Sequence, residues 1–144
     1  MNSYKKVEAM LYNYKKTKIE IKNMLLDIED IENSYRGMGA IEYSDMPKAH
    51  NINSSVELEV IKKEEEILRL KTKIRSKEIE IEKINNILES LDERDRNIIE
   101  EYYIKKNQLK NISKHINLEE SYLSSYKSKL IKEISSIMFI KEVS

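Results

Sequence analysis

The spacing of apolar residues in the last third of the chain constrains the fold more than any other feature. From Leu91 to Ile131, apolar side chains recur mostly at steps of three, four and seven residues, which is the spacing of amphipathic α-helices. The rhythm breaks at Lys105–Asn107 and again at Asn117. The pattern therefore predicts three short helices, at roughly 92–104, 109–116 and 119–135.

The break at Asn117 predicts the turn of a helix-turn-helix. Such a turn usually passes through a residue with positive φ, where glycine is the usual occupant and Asn is the best substitute. Ser113 is small enough to allow the first helix to cross the second closely. The small core shared by the two helices is predicted to contain Ile112, Ile116, Leu118 and Leu123.

The residues on both sides of this turn suit a DNA surface. Between residues 105 and 132 the chain has seven lysines and two glutamates, a local charge of +5, although its net charge is zero. Because salt screens charges beyond about 8–10 Å, DNA would respond to this local balance. Short hydroxyls and lysines suit phosphates and base edges. The predicted DNA-binding residues are Lys110, Lys114, Glu120, Ser121, Tyr122, Ser124, Ser125, Lys127, Ser128, Lys129 and Lys132.

Individual roles follow from the positions of these residues on the helices. The lysines at 114, 127 and 129 are predicted to contact phosphates. The exposed N-terminal half of the second helix is predicted to carry specificity, because that part enters the major groove in helix-turn-helix proteins. Tyr102 and Tyr103 are predicted to lie in the core, Tyr126 to point inward, and Tyr122 to lie at the rim.

This stretch resembles region 4 of bacterial sigma factors and the related phage activators. The matching positions are Leu91, Asp92–Arg96, Ile98–Ile99, Tyr103, Leu109, Ile112–Ser113, Asn117 and Leu123. Two positions depart from the usual pattern. Asn117 stands where a glycine is usual, and Glu119 stands where a serine usually caps the second helix; Glu is a poor N-cap, although its charge is favourable there.

A second segment extends the resemblance. Ser44–Pro47 includes an Asp-Met-Pro sequence, and such a segment before a long helix and a region 4-like module is typical of the ArpU/RinA-type late-gene transcriptional regulators of phages of Gram-positive bacteria. The resemblance implies a sigma factor-like regulator of phage or prophage origin that binds double-stranded DNA. It also implies activation of late genes through contact with bacterial RNA polymerase.

The first two thirds of the chain predict two long helices. Within residues 3–35 and 55–91 apolar residues repeat every seven positions, and Gly37 and Gly39 are predicted to end the first helix. A loop is predicted at about 36–54, which contains the Asp-Met-Pro segment. The two helices are expected to form an antiparallel, coiled-coil-like hairpin, packed through the series that contains Ile21, Ile28, Ile67 and Ile74.

The predicted architecture is therefore all-α, with a helical hairpin at 1–90 and a helix-turn-helix DNA-binding domain at 91–144. The hairpin would dimerise the protein or contact the polymerase. Four apolar residues lie off the main seam and need cover, which favours a homodimer. They are Ile61, Leu68, Ile79 and Ile87.

Composition removes several other classes. With no cysteine, disulfides, zinc fingers and thiol catalysis are excluded, and no phosphate loop, Gly-x-Ser-x-Gly or His-Glu-x-x-His motif occurs. We therefore expect no enzyme activity, no cofactor and no metal site. The N-terminal residues do not form a signal peptide, and no apolar run approaches the roughly 18 residues of a membrane helix, which favours a cytoplasmic protein without membrane contact.

Two alternatives remain beside a transcriptional regulator. Small terminase subunits of DNA-packaging systems also join a helix-turn-helix to coiled helices, but they usually carry the DNA-binding module first. A coiled-coil adaptor that binds only protein belongs to a different class. A missing basic patch on the folded C-terminal module would favour the adaptor.

Overall fold

A computed structural model describes the backbone of residues 2–45 and 50–140 and the side chains of residues 2–34 and 55–140. These residues are helical with short connections and contain no strand, which confirms the all-α fold class. The α-helices are α1 (Ser3–Tyr12), α2 (Tyr14–Asp45), α3 (His50–Ser90), α4 (Glu93–Ile99), α5 (Leu109–Ile116) and α6 (Glu120–Met138). A π-helical segment, Glu100–Ile104, continues directly from α4.

The helix predicted over residues 3–35 is interrupted at Asn13. This residue has φ −93° and ψ 7°, and its N–H donates to the carbonyl of Ala9. Asn favours helix ends because its side chain competes for backbone hydrogen bonds. At the other end of α1, the side chain of Asn2 accepts a hydrogen bond from the Lys5 N–H at 2.9 Å. The chain therefore begins with a separate, capped helix.

The predicted loop at 36–54 is wrong over most of its length. Helix α2 continues through Gly37 and Gly39 to Asp45, and α3 begins at His50. A glycine costs a helix only about 1 kcal/mol relative to alanine, so two of them do not have to end a helix of 32 residues. Of the Asp-Met-Pro segment, Asp45 ends α2, whereas Met46 and Pro47 lie outside the described residues.

The chain forms two compact units that differ from the predicted division at residue 90. One unit combines Met1–Lys18 with Ile79–Ser144, and the other is Ile19–Glu78. The reason lies in α1, whose Val7 and Leu11 are buried in one core cluster with residues of α6. The N-terminal helix thus belongs with the C-terminal module. We call the unit that contains both chain ends the C-terminal unit, and Ile19–Glu78 the central unit.

Two apolar clusters form the core of the C-terminal unit. The larger joins α1, the ends of α3 and α4, the π-helical segment and α6, and contains Val7, Leu11, Ile84, Ile87, Leu88, Ile99, Tyr103, Leu130, Ile131 and Ile134. The smaller joins α4, α5 and α6 through Ile98, Ile112 and Leu123. Burying these side chains contributes roughly 1.5–3 kcal/mol each before the entropy cost of ordering them.

In the central unit, two polar side-chain contacts join α2 and α3. Lys77 Nζ lies 3.4 Å from Glu20 Oε1, and Lys63 Nζ donates to Ser34 Oγ at 2.6 Å. As the contacts move forward along α2, they move backward along α3. Of the residues in the predicted seam, Ile28 and Ile74 are buried, and Ile21 and Ile67 are half-buried.

The four apolar residues predicted to need cover do not behave alike. Ile61 and Leu68 are exposed, and Ile79 is 38% exposed. Ile87 is buried in the larger cluster of the C-terminal unit, so its own chain supplies the cover it was predicted to need. In the described part of the chain, no helix combines the length and apolar character needed to span a membrane.

Candidate nucleic-acid interface

The connection between α5 and α6 is a tight turn at Asn117. This residue has φ 62° and ψ 42°, the left-handed conformation that Asn tolerates better than most residues. The Ser113 carbonyl accepts from the N–H of Asn117 and from the N–H of Leu118, the latter at 3.1 Å. The predicted break at Asn117 is therefore confirmed, and α5 and α6 are separate helices.

The contact between α5 and α6 is built as the apolar spacing predicted. Ile112 and Leu123 are buried, and Ile116 and Leu118 pack against them while partly exposed. Ser113 is also buried, and its hydroxyl donates to the Lys110 carbonyl at 2.7 Å. Since the buried serine has a hydrogen-bond partner, its burial carries little penalty. The small side chain of Ser113 therefore allows α5 and α6 to approach closely while its hydroxyl keeps a hydrogen bond.

Polar contacts join α4 to the end of α3 and to α6. Asp92 caps α4 by accepting from the Asp95 N–H at 2.9 Å. Arg96 donates to the carbonyls of Leu88 and Leu91 at 3.0 and 3.1 Å, which satisfies backbone groups near the end of α3. Tyr126 of α6 donates to Asp95 Oδ1 at 2.7 Å, and this hydrogen bond raises the pKa of the tyrosine.

Nine of the eleven predicted DNA-binding residues are exposed on α5 and α6. They are Lys110, Lys114, Glu120, Ser121, Tyr122, Ser124, Ser125, Lys129 and Lys132. Tyr122 is 53% exposed and stacks on Tyr126, with ring centres 6.2 Å apart. The N-terminal half of α6 therefore presents short hydroxyls, one aromatic ring and one carboxylate to solvent.

Lys127 and Ser128 do not belong to this surface. Lys127 is 8% exposed, and its ammonium group lies 4.4 Å from the centre of the Tyr102 ring. The predicted phosphate contact of Lys127 would therefore require its ammonium group to leave these rings. Ser128, also predicted to bind DNA, is half-buried and accepts a hydrogen bond from the hydroxyl of Tyr4 at 3.3 Å.

The sequence contained a signal for the burial of Lys127. The residue lies four positions after Leu123 and three before Leu130, which are both buried, so it occupies the same stripe of α6. A lysine in such a position buries its aliphatic stem. Here its ammonium group makes cation–π contacts with the aromatic rings. The apolar spacing of the helix was a better guide than the residue type.

A cluster of tyrosines surrounds this lysine. Tyr103 is fully buried as predicted, and its hydroxyl donates to Glu8 Oε2 at 2.8 Å. Lys127 Nζ donates to the same tyrosine oxygen at 3.4 Å. Burial, with the Glu8 carboxylate as a further cause, raises the pKa of Tyr103, and burial raises the pKa of Tyr12 to about 12. These contacts attach α1 to α6 and to the π-helical segment.

Replacing Tyr103 by phenylalanine is expected to reduce the loss of stability at alkaline pH. The folded state raises the pKa of this phenol above the value of about 10 in an unfolded chain. The phenol's contribution is therefore complete below about pH 10 and falls as the pH rises further. Urea unfolding at about pH 8 and about pH 11 should show a smaller fall for Tyr103→Phe than for the parent. A fall as large for Tyr103→Phe as for the parent would contradict the assignment.

A second tight turn positions the start of α5. Lys106 has φ 59°, and the N–H of Asn107 donates to the Glu101 carbonyl at 2.9 Å. The Glu101 carboxylate accepts from the side chains of Lys105 and Asn107, and the Lys105 hydrogen bond is the main reason why the pKa of Glu101 is lowered. Beside this turn is a polar cleft whose lining includes Asn111, Lys114 and His115.

Comparison of the chain with models of known families, with curated proteins and with solved structures finds no match. Within the described residues, no three side chains of the His, Cys, Asp and Glu types come together as metal ligands. The features that bear on function are therefore the exposed polar residues of α5 and α6.

Proposed function

We propose that the chain is a sequence-specific DNA-binding protein in which α5, Asn117 and α6 form a helix-turn-helix. The observation that carries this proposal is the left-handed turn at Asn117 followed by a helix with an exposed, hydroxyl-rich N-terminal half. In helix-turn-helix proteins the second helix lies in the major groove and its first residues contact base edges. Here these residues are Glu120, Ser121, Ser124 and Ser125.

The charge of the exposed surface supports DNA as the ligand. After Lys127 is removed from the set, six exposed lysines and two exposed glutamates remain between residues 105 and 132. Lys110 and Lys114 lie on α5, and Lys129 and Lys132 lie on α6, so both helices supply cations to a phosphate backbone. A protein-binding adaptor has no need of this local excess of positive charge.

The regulatory role is carried over from the resemblance to sigma region 4 and to the phage late-gene regulators. On that basis the protein is a transcriptional activator of phage or prophage origin that acts with host RNA polymerase. The contacts of Glu20 with Lys77 and of Ser34 with Lys63 support an antiparallel hairpin of α2 and α3. In this proposal the hairpin provides the surface for a second copy or for the polymerase.

Footprinting of the purified protein on DNA from its own gene neighbourhood tests the proposal directly. A protected site of defined sequence that resists competition by random DNA is the expected result. Protection confined to a packaging-initiation region would favour the small terminase alternative, and protection of no segment at any protein concentration would favour the coiled-coil adaptor. Transcription in vitro with and without the protein then gives the sign of regulation.

Replacing Ser124 and Ser125 together by alanine is expected to cost about 1–3 kcal/mol on the preferred site and much less on random DNA. Both hydroxyls are exposed on the N-terminal half of α6 and can reach base edges only if that helix enters the groove. A competition titration of both DNAs at one salt concentration measures the difference. Ser135→Ala with Ser136→Ala, near the other end of α6, is the matched control and should change neither affinity. Equal losses on both DNAs would mean that the two serines do not read sequence.

A further inference from the structure

Helix α3 carries a second apolar stripe that the core of the central unit does not use. Leu58, Ile61 and Leu68 lie three and seven residues apart, so they share one face of the helix. Their side chains are 60%, 48% and 66% exposed. The seam residues Ile67 and Ile74 lie on a different face of α3.

The stripe continues as a heptad pattern along α3. Glu65, Thr72 and Arg75 occupy the next positions of the same face, and the steps along it alternate between three and four residues, as in the seam of a coiled coil. The hydroxyl of Thr72 donates to the Leu68 carbonyl at 3.0 Å. Since that hydrogen bond lies within the helix, Thr72 can be buried against a partner without losing it.

We propose that two copies of the chain pair through this stripe, with their α3 helices antiparallel. A two-fold axis midway between Leu68 and Thr72 places Leu68 opposite Thr72 of the second copy. The same axis places Glu65 opposite Arg75 of the second copy, and symmetry makes this ion pair twice.

The charges on this stripe favour antiparallel over parallel pairing of the two α3 helices. A parallel pair would place Glu65 against Glu65 and Arg75 against Arg75, and both contacts would be repulsive. Arg75 already pairs with Glu78 of its own helix at 3.6 Å, in an exposed contact that costs little to exchange.

This inference rests on the proposed role of the hairpin as a surface for a second copy, and it does not depend on DNA binding. If both proposals hold, the dimer carries two α6 helices related by a two-fold axis, which matches a palindromic binding site. The two can fail separately, because solution mass reports the pairing and a DNA titration reports the interface on α5 and α6.

Sedimentation equilibrium of the full chain tests the pairing through its charges. The parent chain is expected to show a mass that rises from monomer to dimer with concentration. Glu65→Arg and Arg75→Glu should each weaken the dimer by at least about tenfold, because each creates two like-charge contacts. The double variant Glu65→Arg/Arg75→Glu restores both ion pairs and should return the dissociation constant to within about threefold of the parent.

A second pair of variants tests the apolar part of the stripe. Leu68→Glu should weaken the dimer by more than about tenfold, whereas Leu26→Glu, an equally drastic change of an exposed leucine on α2, should not. Circular dichroism should show parent-like helicity for all of these exposed substitutions. A parent chain that stays monomeric at every concentration would overturn the proposal. So would a charge-swapped double variant as weak as the single ones, or equal effects at Leu68 and Leu26.

Discussion

Replacing Ile74 by aspartate is expected to lower the free energy of unfolding by more than about 4 kcal/mol. The Ile74 side chain is 6% exposed on the buried face of α3 in the central unit. Losing a buried isoleucine costs about 2–5 kcal/mol, and a carboxylate in its place must either lose its hydration or take up a proton. Urea unfolding followed by circular dichroism measures the effect.

The neighbouring residue provides a matched control for this variant. Lys73 is exposed on the same turn of α3, so Lys73→Asp should stay within about 0.5 kcal/mol of the parent. Both variants introduce aspartate, so their costs in helix propensity agree to within a few tenths of a kcal/mol. The difference between their free energies of unfolding therefore isolates the effect of burial. Parent-like unfolding of Ile74→Asp would mean that the seam between α2 and α3 is assigned to the wrong face.

Replacing Lys127 by alanine is expected to lower the free energy of unfolding by about 3 kcal/mol without changing the salt dependence of DNA binding. Its stem packs in the core of the C-terminal unit, and each buried methylene contributes about 0.8 kcal/mol. Its ammonium group also lies 4.4 and 5.3 Å from the ring centres of Tyr102 and Tyr103, contacts that contribute about 0.5–2 kcal/mol.

Lys129 gives the opposite expectation two residues further along α6. Its side chain is exposed, so Lys129→Ala should leave unfolding nearly unchanged. If it contacts a phosphate, its loss should lower the slope of log K against log salt by about 0.9. The variant Lys127→Met keeps the stem and removes the charge, so it measures the ammonium contribution alone. A lower salt slope for Lys127→Ala, with parent-like unfolding, would contradict the buried position of this lysine.

The two lysines also show why the charge of a DNA-binding surface cannot be counted from sequence alone. Both follow the turn at Asn117 and both were predicted to contact phosphate. Position 127 lies on the stripe that packs against Tyr102 and Tyr103, and position 129 does not. Helical periodicity thus separates a structural lysine from a candidate ligand-binding one, once the direction of the buried face is known.

The sequence by itself determined the elements that depend on local backbone physics. The break at Asn117 and the bounds of α5 follow from residue type and apolar spacing, because a left-handed turn and an amphipathic face are properties of short segments. The buried positions of Ile28 and Ile74 follow from the heptad repeat for the same reason.

Tertiary structure decided the matters that depend on residues far apart in the chain. Tyr103 donates to Glu8 across 95 positions, and Tyr4 donates to Ser128 across 124, so no local pattern could show that α1 belongs to the core of the C-terminal unit. The continuation of α2 through Gly37 and Gly39 was missed because propensity alone gives only a weak preference, about 1 kcal/mol per glycine. Periodicity identifies which residues of a helix are buried together, and the non-local contacts of the folded chain decide which other helix covers them.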